Sequence, residues 1–176
     1  MLEGTAIKLR ALEPEDLDFL YRIENDSNLW EYSTTQTPYS KFVLKQYLKD
    51  ALRDIYEAKQ LRLVITTSEN STLGMIDLFD FDPKNKRVGV GILIASQEDR
   101  QKGYAKEALQ LLSSYAFNHL HVHQIYANIG EKNIKSIALF EKIGFSKVGT
   151  KKDWNFYKGK FHNELLYQLV NNQSEV

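Results

Sequence analysis

A chain of 176 residues, 43% hydrophobic and 26% charged, has the size and make-up of one ordinary globular domain, which argues against disorder. Lys plus Arg and Asp plus Glu balance at 23 each, so no basic field points to nucleic acid or a membrane surface, and any polyanion bound should be small. Cysteine is absent, which excludes disulfides, thiolate metal sites and a cysteine nucleophile, and the opening MLEGTAIKLRALE reads as neither secretory signal nor membrane span, so a cytoplasmic protein is expected.

In chain order, TAIKLRALE reads as a strand, and PEDLDFLYRIEN as a helix with Pro14 in its first turn and Glu15 and Asp16 suiting the dipole there. After a polar, aromatic loop, SNLWEYSTTQTPYS, a second helix is expected over about 40–55. Ser40 is its cap, and Leu44, Tyr47, Leu48, Ala51, Leu52 and Ile55 form its apolar stripe. The period then changes to two: LRLVITT, LGMIDLFDFD and RVGVGILIA read as an antiparallel meander of three strands. The helix after Gly103 carries Ala105, Ala108, Leu109, Leu112, Tyr115, Ala116 and Leu120 on one face. HQIYANI is a further strand and NIKSIALFEKIG a helix stopped by Gly144. The closing hairpin turns at YKGK, and the tail 171–176 is expected to be disordered. This order predicts one α/β (α+β) domain, 1–176, with a mixed, mostly antiparallel sheet of about seven strands and about four helices. The crossover helix should make the strand ending near Ala95 and the strand starting near Gln124 parallel neighbours.

The chemistry concentrates where the third meander strand meets the crossover helix. There Arg100, Gly103 and Ala105 form R-x-x-G-x-A. Gly103 lacks the Cβ that would hold a ligand off the backbone, and Ala105 keeps the first turn slim. The amides of Gln101, Lys102, Gly103, Tyr104 and Ala105 can then converge on one anion, with Arg100 and Lys102 adding charge. Alone, the pattern equally suits a plain capped helix. Gly89 and Gly91 leave one strand face bare, which suits either a close ligand or tight packing. No Walker A loop or G-x-G-x-x-G is present, against nucleoside triphosphatases and dinucleotide enzymes.

GVGILIASQED running into RQKGYAKEAL, together with NIGEKNIKSIALFEKIGFSKVGT, resembles the GNAT superfamily of acetyl-CoA-dependent N-acetyltransferases. IKLRALEPEDLDFLYRIEND and FYKGKFHNELLYQL are most similar to spermidine N-acetyltransferases and to ribosomal-protein N-terminal acetyltransferases. The resemblance implies a GNAT-like fold and acetyl-CoA as cofactor. Its pyrophosphate would lie on Arg100 to Ala105 and its pantetheine arm along Ile92, Leu93 and Ile94. Asn133, Ser136 and Phe140, on one face of the last helix, would look toward the thioester, although Asn133 is also a plain N-cap. Relatives among spermidine acetyltransferases carry a tyrosine at Phe140, whose hydroxyl protonates the departing thiolate. Ser136, matching a serine of ribosomal-protein acetyltransferases, is the replacement acid.

Gly89 stands where many relatives carry a glutamate base. Asp77, Asp80 and Glu31 are the available carboxylates, Asp77 first because it shares a strand face with Met75 and Phe79. A strand amide near Leu93 is expected to steady the oxyanion. Trp30, Glu31, Tyr32 and Tyr39 suit either an acceptor pocket or packing between the first two helices. His119, His121 and His123 cross from helix to strand without convergent directions, so no metal is expected; His162 is a base or a surface residue.

The expected activity is transfer of acetyl to a primary amine, a small amine or a polyamine such as spermidine, by direct attack in a ternary complex. The alternatives are the N-terminal amine of a protein, or a non-catalytic acyl-CoA-binding module. The expected partner is a small-molecule amine, with a homo-oligomer left open.

Overall fold

The computed structural model describes residues 1–172 except Thr34 and Leu52, and the backbone but not the side chain of Glu31. Eight strands, β1 (Leu2–Glu3), β2 (Ile7–Ala11), β3 (Leu61–Thr67), β4 (Thr72–Asp82), β5 (Arg87–Ile94), β6 (Gln124–Gly130), β7 (Ser146–Tyr157) and β8 (Lys160–Val170), form one sheet. The helices are α1 (Leu17–Glu24), α2 (Lys41–Asp50), α3 (Ile55–Ala58), α4 (Tyr104–Asn118) and α5 (Ile134–Ile143). The sheet order is β1-β2-β3-β4-β5-β6-β8-β7, antiparallel throughout except between β5 and β6. The expected meander is β3-β4-β5, and α4 makes the expected parallel crossover.

Strand alternation sorts the side chains onto two faces. Ile76, Leu78, Val88, Val90, Ile125 and Ile129 point into the main core beneath α4 and α5. On the opposite face Met75, with Leu93 against it, packs under Leu20 and Ile23 of α1 and Leu44 of α2. In α4 the predicted stripe is the buried one: Ala108, Leu109, Leu112 and Ala116 are fully covered. The closing hairpin turns on Lys158 and Gly159, both at positive φ, as a two-residue turn requires.

The structure departs from the sequence reading at some element ends. Pro14–Asp16 is a 3₁₀ turn rather than the start of α1, because the Asp16 carboxylate accepts from the Glu13 N–H and takes a bidentate pair from Arg10. The expected helix over 40–55 ends at Asp50. Asp54 then caps a separate short helix through the N–H groups of Tyr56 and Glu57, so Ile55 begins α3 rather than ending α2; Leu52 of the predicted stripe lies outside the described residues. The tail from 173 onward, part of the segment expected to be disordered, also lies outside them. Among the described residues no helix is long and apolar enough to cross a membrane.

Candidate active site

Strands β5 and β6 pair over only three positions, from Arg87 opposite Gln124 to Gly89 opposite Tyr126. Beyond that point β4 follows β5 to Ile94, while β8 follows β6 to Gly130, so the two parallel strands part and leave a gap in the sheet. The Ala95 N–H donates to the Leu73 carbonyl at 2.9 Å, with Leu93 opposite Met75 and Gly91 opposite Asp77. Antiparallel alternation then turns the peptide groups of Gly91, Leu93 and Ala95 toward β4, and those of Val90, Ile92 and Ile94 toward the gap. In the stretch expected to supply the oxyanion donor, the Leu93 N–H itself belongs to the β4 ladder, and the amides of Ile92 and Ile94 beside it face the opening.

The junction after β5 is built to expose main chain. Ser96 caps a 3₁₀ turn, Gln97–Asp99, by accepting from the Glu98 N–H, and Arg100 leaves it extended. The Arg100 Nε donates to the Ile94 carbonyl at 3.2 Å, fastening the loop to the strand end and taking that carbonyl out of the gap. Gln101 at φ 66° and Gly103 at φ 92° both adopt the left-handed region, which turns the chain into α4. Nothing lies within 4 Å of where a Gly103 Cβ would stand. Among the described residues no side chain caps α4, which leaves the N–H groups of its first turn to point outward. Lys102 is exposed and pairs with Asp99 at 3.1 Å, while Tyr104 and Ala105 lean on the core.

At the far wall β6 ends at Gly130 and enters α5 through Asn133, whose side chain accepts from the Ser136 N–H at 3.2 Å. Asn133 is therefore a cap. Ser136 is half-buried one turn into α5, and its hydroxyl has no protein partner among the described residues. Phe140, on the same face, is 2% exposed and sits edge-on to Phe145 at 4.9 Å, a core residue.

The carboxylates divide differently from expectation. Asp77 is not a free base: Arg62, opposite it on β3, donates from Nε to Oδ1 at 2.6 Å and from Nη2 to Oδ2 at 3.2 Å, and also reaches Glu24 at 3.1 Å. Burial works against the Arg62 charge, but Asp77 and Glu24 outweigh it and hold the guanidinium above its ordinary value. Tyr47 of α2 lies against this guanidinium, 5.5 Å from ring centre to Cζ, and its phenol is pushed up by burial. Asp80 is exposed at φ 50°, in the irregularity where β4 and β5 lose register, and accepts from the Tyr126 hydroxyl at 3.2 Å. Burial and Asp80 together push the Tyr126 phenol up to about 12. Trp30 donates to the Glu24 carbonyl at 2.9 Å, so the aromatic loop is moored to α1. Tyr32 is exposed, and the Glu31 side chain lies outside what is described. Of the two alternatives for Gly89, tight packing is the one present: a Cβ there would collide with the Phe79 ring, whereas one at Gly91 would have only ordinary contact with it. His119 stacks on Tyr115.

Sequence reasoning did not single out Arg62, Glu24 or Tyr126, and named Phe79 only as a neighbour of Asp77 on its strand face. A register for the β3-β4 hairpin would have set Arg62 across from Asp77. Phe79 and Tyr126 meet only across the sheet, and Glu24 reaches Arg62 from the end of α1.

The profile described as an acetyltransferase (GNAT) domain matches residues 6–146. The chain belongs to the GNAT acetyltransferase family. This GNAT acetyltransferase is 28% identical over 173 residues to the spermidine N(1)-acetyltransferase of Escherichia coli K12, covering 98% of this chain and 90% of that protein. It is 27% identical over 173 residues to the putative ribosomal N-acetyltransferase YdaF of Bacillus subtilis 168, covering 96% and 93%. Among solved structures, the spermidine N-acetyltransferase of Vibrio cholerae in complex with CoA and spermine superposes with a TM-score of 0.83 at 25% identity, covering 93% and 95% of the two chains.

Proposed function

We propose that this GNAT acetyltransferase moves the acetyl group of acetyl-CoA to a primary amine, a small amine or a polyamine such as spermidine, by direct attack in a ternary complex. The observation that carries this reading is the gap between β5 and β6 ending at an uncapped, glycine-opened helix start. A thin acyl-pantetheine arm fits such a slot, and a diphosphate fits the amides at its end. When bound, acetyl-CoA supplies an activated acyl group on a thiol of pKa about 8.5, a tolerable leaving group near neutrality.

The chain's own groups then have separable tasks. The main chain of Ile92 and the Ile94 N–H hold the arm, and the turn from Gln101 to Ala105 holds the phosphates, with Arg100 bracing the loop against Ile94. The Ser136 hydroxyl would relay a proton to the departing sulfur, regaining one from solvent, since Phe140 has none to give. An ammonium titrating near about 10 must lose a proton before it attacks. Asp80, which pairs with no cation among the described residues, takes that proton, because Asp77 is committed to Arg62.

Spermidine in the names of the Escherichia coli and Vibrio cholerae relatives supports a small polyamine or amine acceptor. The ribosomal name of the Bacillus relative supports the rival, a protein N-terminal amine. Thiol release with acetyl-CoA and a panel of spermidine, simple monoamines, amino acids and N-terminal peptides decides. If every amine fails while acetyl-CoA still raises the melting temperature, the chain is an acyl-CoA-binding module instead.

A further inference from the structure

Phe79, Gly89 and Tyr126 form one row across β4, β5 and β6 on the face covered by α1 and α2. The row lies at the apex of the gap, because Gly89 opposite Tyr126 is the last pair before β5 and β6 separate. The two rings meet over the glycine edge to face, with centroids 5.8 Å apart and planes at 87°. Phe79 fills the volume a side chain at 89 would take, so β5 presents an aromatic surface at this point rather than empty space. Both rings are half-buried rather than sealed in the core. At the rim Asp80 holds the Tyr126 hydroxyl.

Among the described side chains, charge on this face is sparse. Glu24 and Asp77 are turned onto Arg62, and after Glu31 the stretch YSTTQTPYS at 32–40 contains no carboxylate. An aromatic surface with one carboxylate beside it suits a single ammonium on an apolar or aromatic body, since the ring faces attract the cation and cover the carbon skeleton. A linear polycation gains from each added carboxylate and finds few among the described side chains here.

Resting on the reading that a primary amine is acetylated at this gap, we propose that Phe79 and Tyr126, with Asp80, form the acceptor seat and select arylalkyl or alkyl monoamines over linear polyamines. The seat recognises the reacting ammonium through the ring faces and Asp80, and the rest of the acceptor through apolar contact.

The test is calorimetric binding of 2-phenylethylamine and of spermidine to the protein saturated with CoA, run beside thiol-release assays. Wild type should bind 2-phenylethylamine at least about tenfold more tightly than spermidine, and Phe79→Leu, which keeps bulk without a ring, should weaken that binding about tenfold with CoA affinity unchanged. Tyr126→Phe, which keeps the ring and releases Asp80, should weaken it less. Tighter spermidine binding by wild type, or an unchanged 2-phenylethylamine affinity in Phe79→Leu, overturns the seat even if acetyl transfer proceeds. Tight, Phe79-dependent amine binding without thiol release from any amine leaves the seat standing and overturns the catalytic reading.

Discussion

Arg62 on β3 and Asp77 on β4 face one another across the ladder as a bidentate pair, Nε to Oδ1 at 2.6 Å and Nη2 to Oδ2 at 3.2 Å, and the same guanidinium reaches Glu24 at the end of α1. One cation thus ties two strands and a helix together beneath the loop that Trp30 moors to Glu24. Each of the three side chains is only about a fifth exposed, so their charges depend on one another more than surface ions do.

Removing the cation should therefore cost stability. Arg62→Met is expected to lower the unfolding free energy by about 3 kcal/mol, because it leaves two carboxylates partly buried without a counter-charge. Urea denaturation checks this; a change below about 0.5 kcal/mol would place the pair among ordinary surface ion pairs.

Asp77→Asn separates structure from catalysis. As a partner of Arg62, Asp77 should be replaceable with loss of stability but with turnover kept within about threefold. Loss of a general base costs about a hundredfold or more. The alkaline and acid limbs of the pH profile should stay in place, and a displaced limb would return Asp77 to the chemistry.

A second carboxylate sets the acid limb of stability. Asp16 is buried, which alone would raise its pKa, but the Arg10 fork and the Glu13 N–H outweigh burial and hold it below the ordinary carboxylate value. A group with a depressed folded pKa stabilises the fold above its unfolded pKa, about 3.9, and loses that contribution as pH falls through its folded value. Asp16→Asn should thus be about 2 kcal/mol less stable than wild type at pH 7, a charged hydrogen-bonded partner's worth. The gap between the two proteins should narrow below pH about 4. A constant difference across the acid range, seen in thermal melts, would contradict this account.

What the sequence disclosed, and what it hid, follow from the range of the forces involved. The α4 stripe, the period-two strands and the Gly103 junction are local patterns, written within one turn or one strand, and they are where the structure puts them. The split of the expected second helix is local too, but it depended on recognising Asp54 as a new cap. What Asp77, Leu93 and Gly89 meet could not be read locally, because the deciding partner was on another strand. Asp77 needed Arg62, Leu93 needed the β4 ladder, and Gly89 needed the Phe79 ring. Composition and periodicity say which face a residue takes, but register says what it meets there.

Gly103 gives a test of the phosphate turn that is independent of turnover. Valine at φ 92° is strained, about 1–2 kcal/mol, yet nothing lies within 4 Å of the new Cβ, so the domain should fold. Gly103→Val should weaken CoA about tenfold or more by shifting the amides. Affinity for pantetheine, which lacks the diphosphate, should be unchanged. Equal weakening of both ligands, or of neither, would remove the phosphate role.

Ser136 and Phe140 form the last pair of opposites. The serine hydroxyl is half-buried and without a protein partner among the described residues, while Phe140 is packed against Phe145. Ser136→Ala should slow turnover about tenfold, less than full loss of acid catalysis because a thiolate already leaves tolerably. Affinity for acetyl-CoA should hardly change. Phe140→Tyr supplies the hydroxyl that the resemblance to spermidine acetyltransferases implies for this place, but in a core position 2% exposed, where an unmet hydroxyl costs about 1–3 kcal/mol. Combined with Ser136→Ala it should recover part of the lost rate and lower the melting temperature. Bound CoA should narrow that thermal deficit if the new hydroxyl reaches the sulfur, and full wild-type turnover in Ser136→Ala alone would show that no side-chain acid is needed at this end of α5.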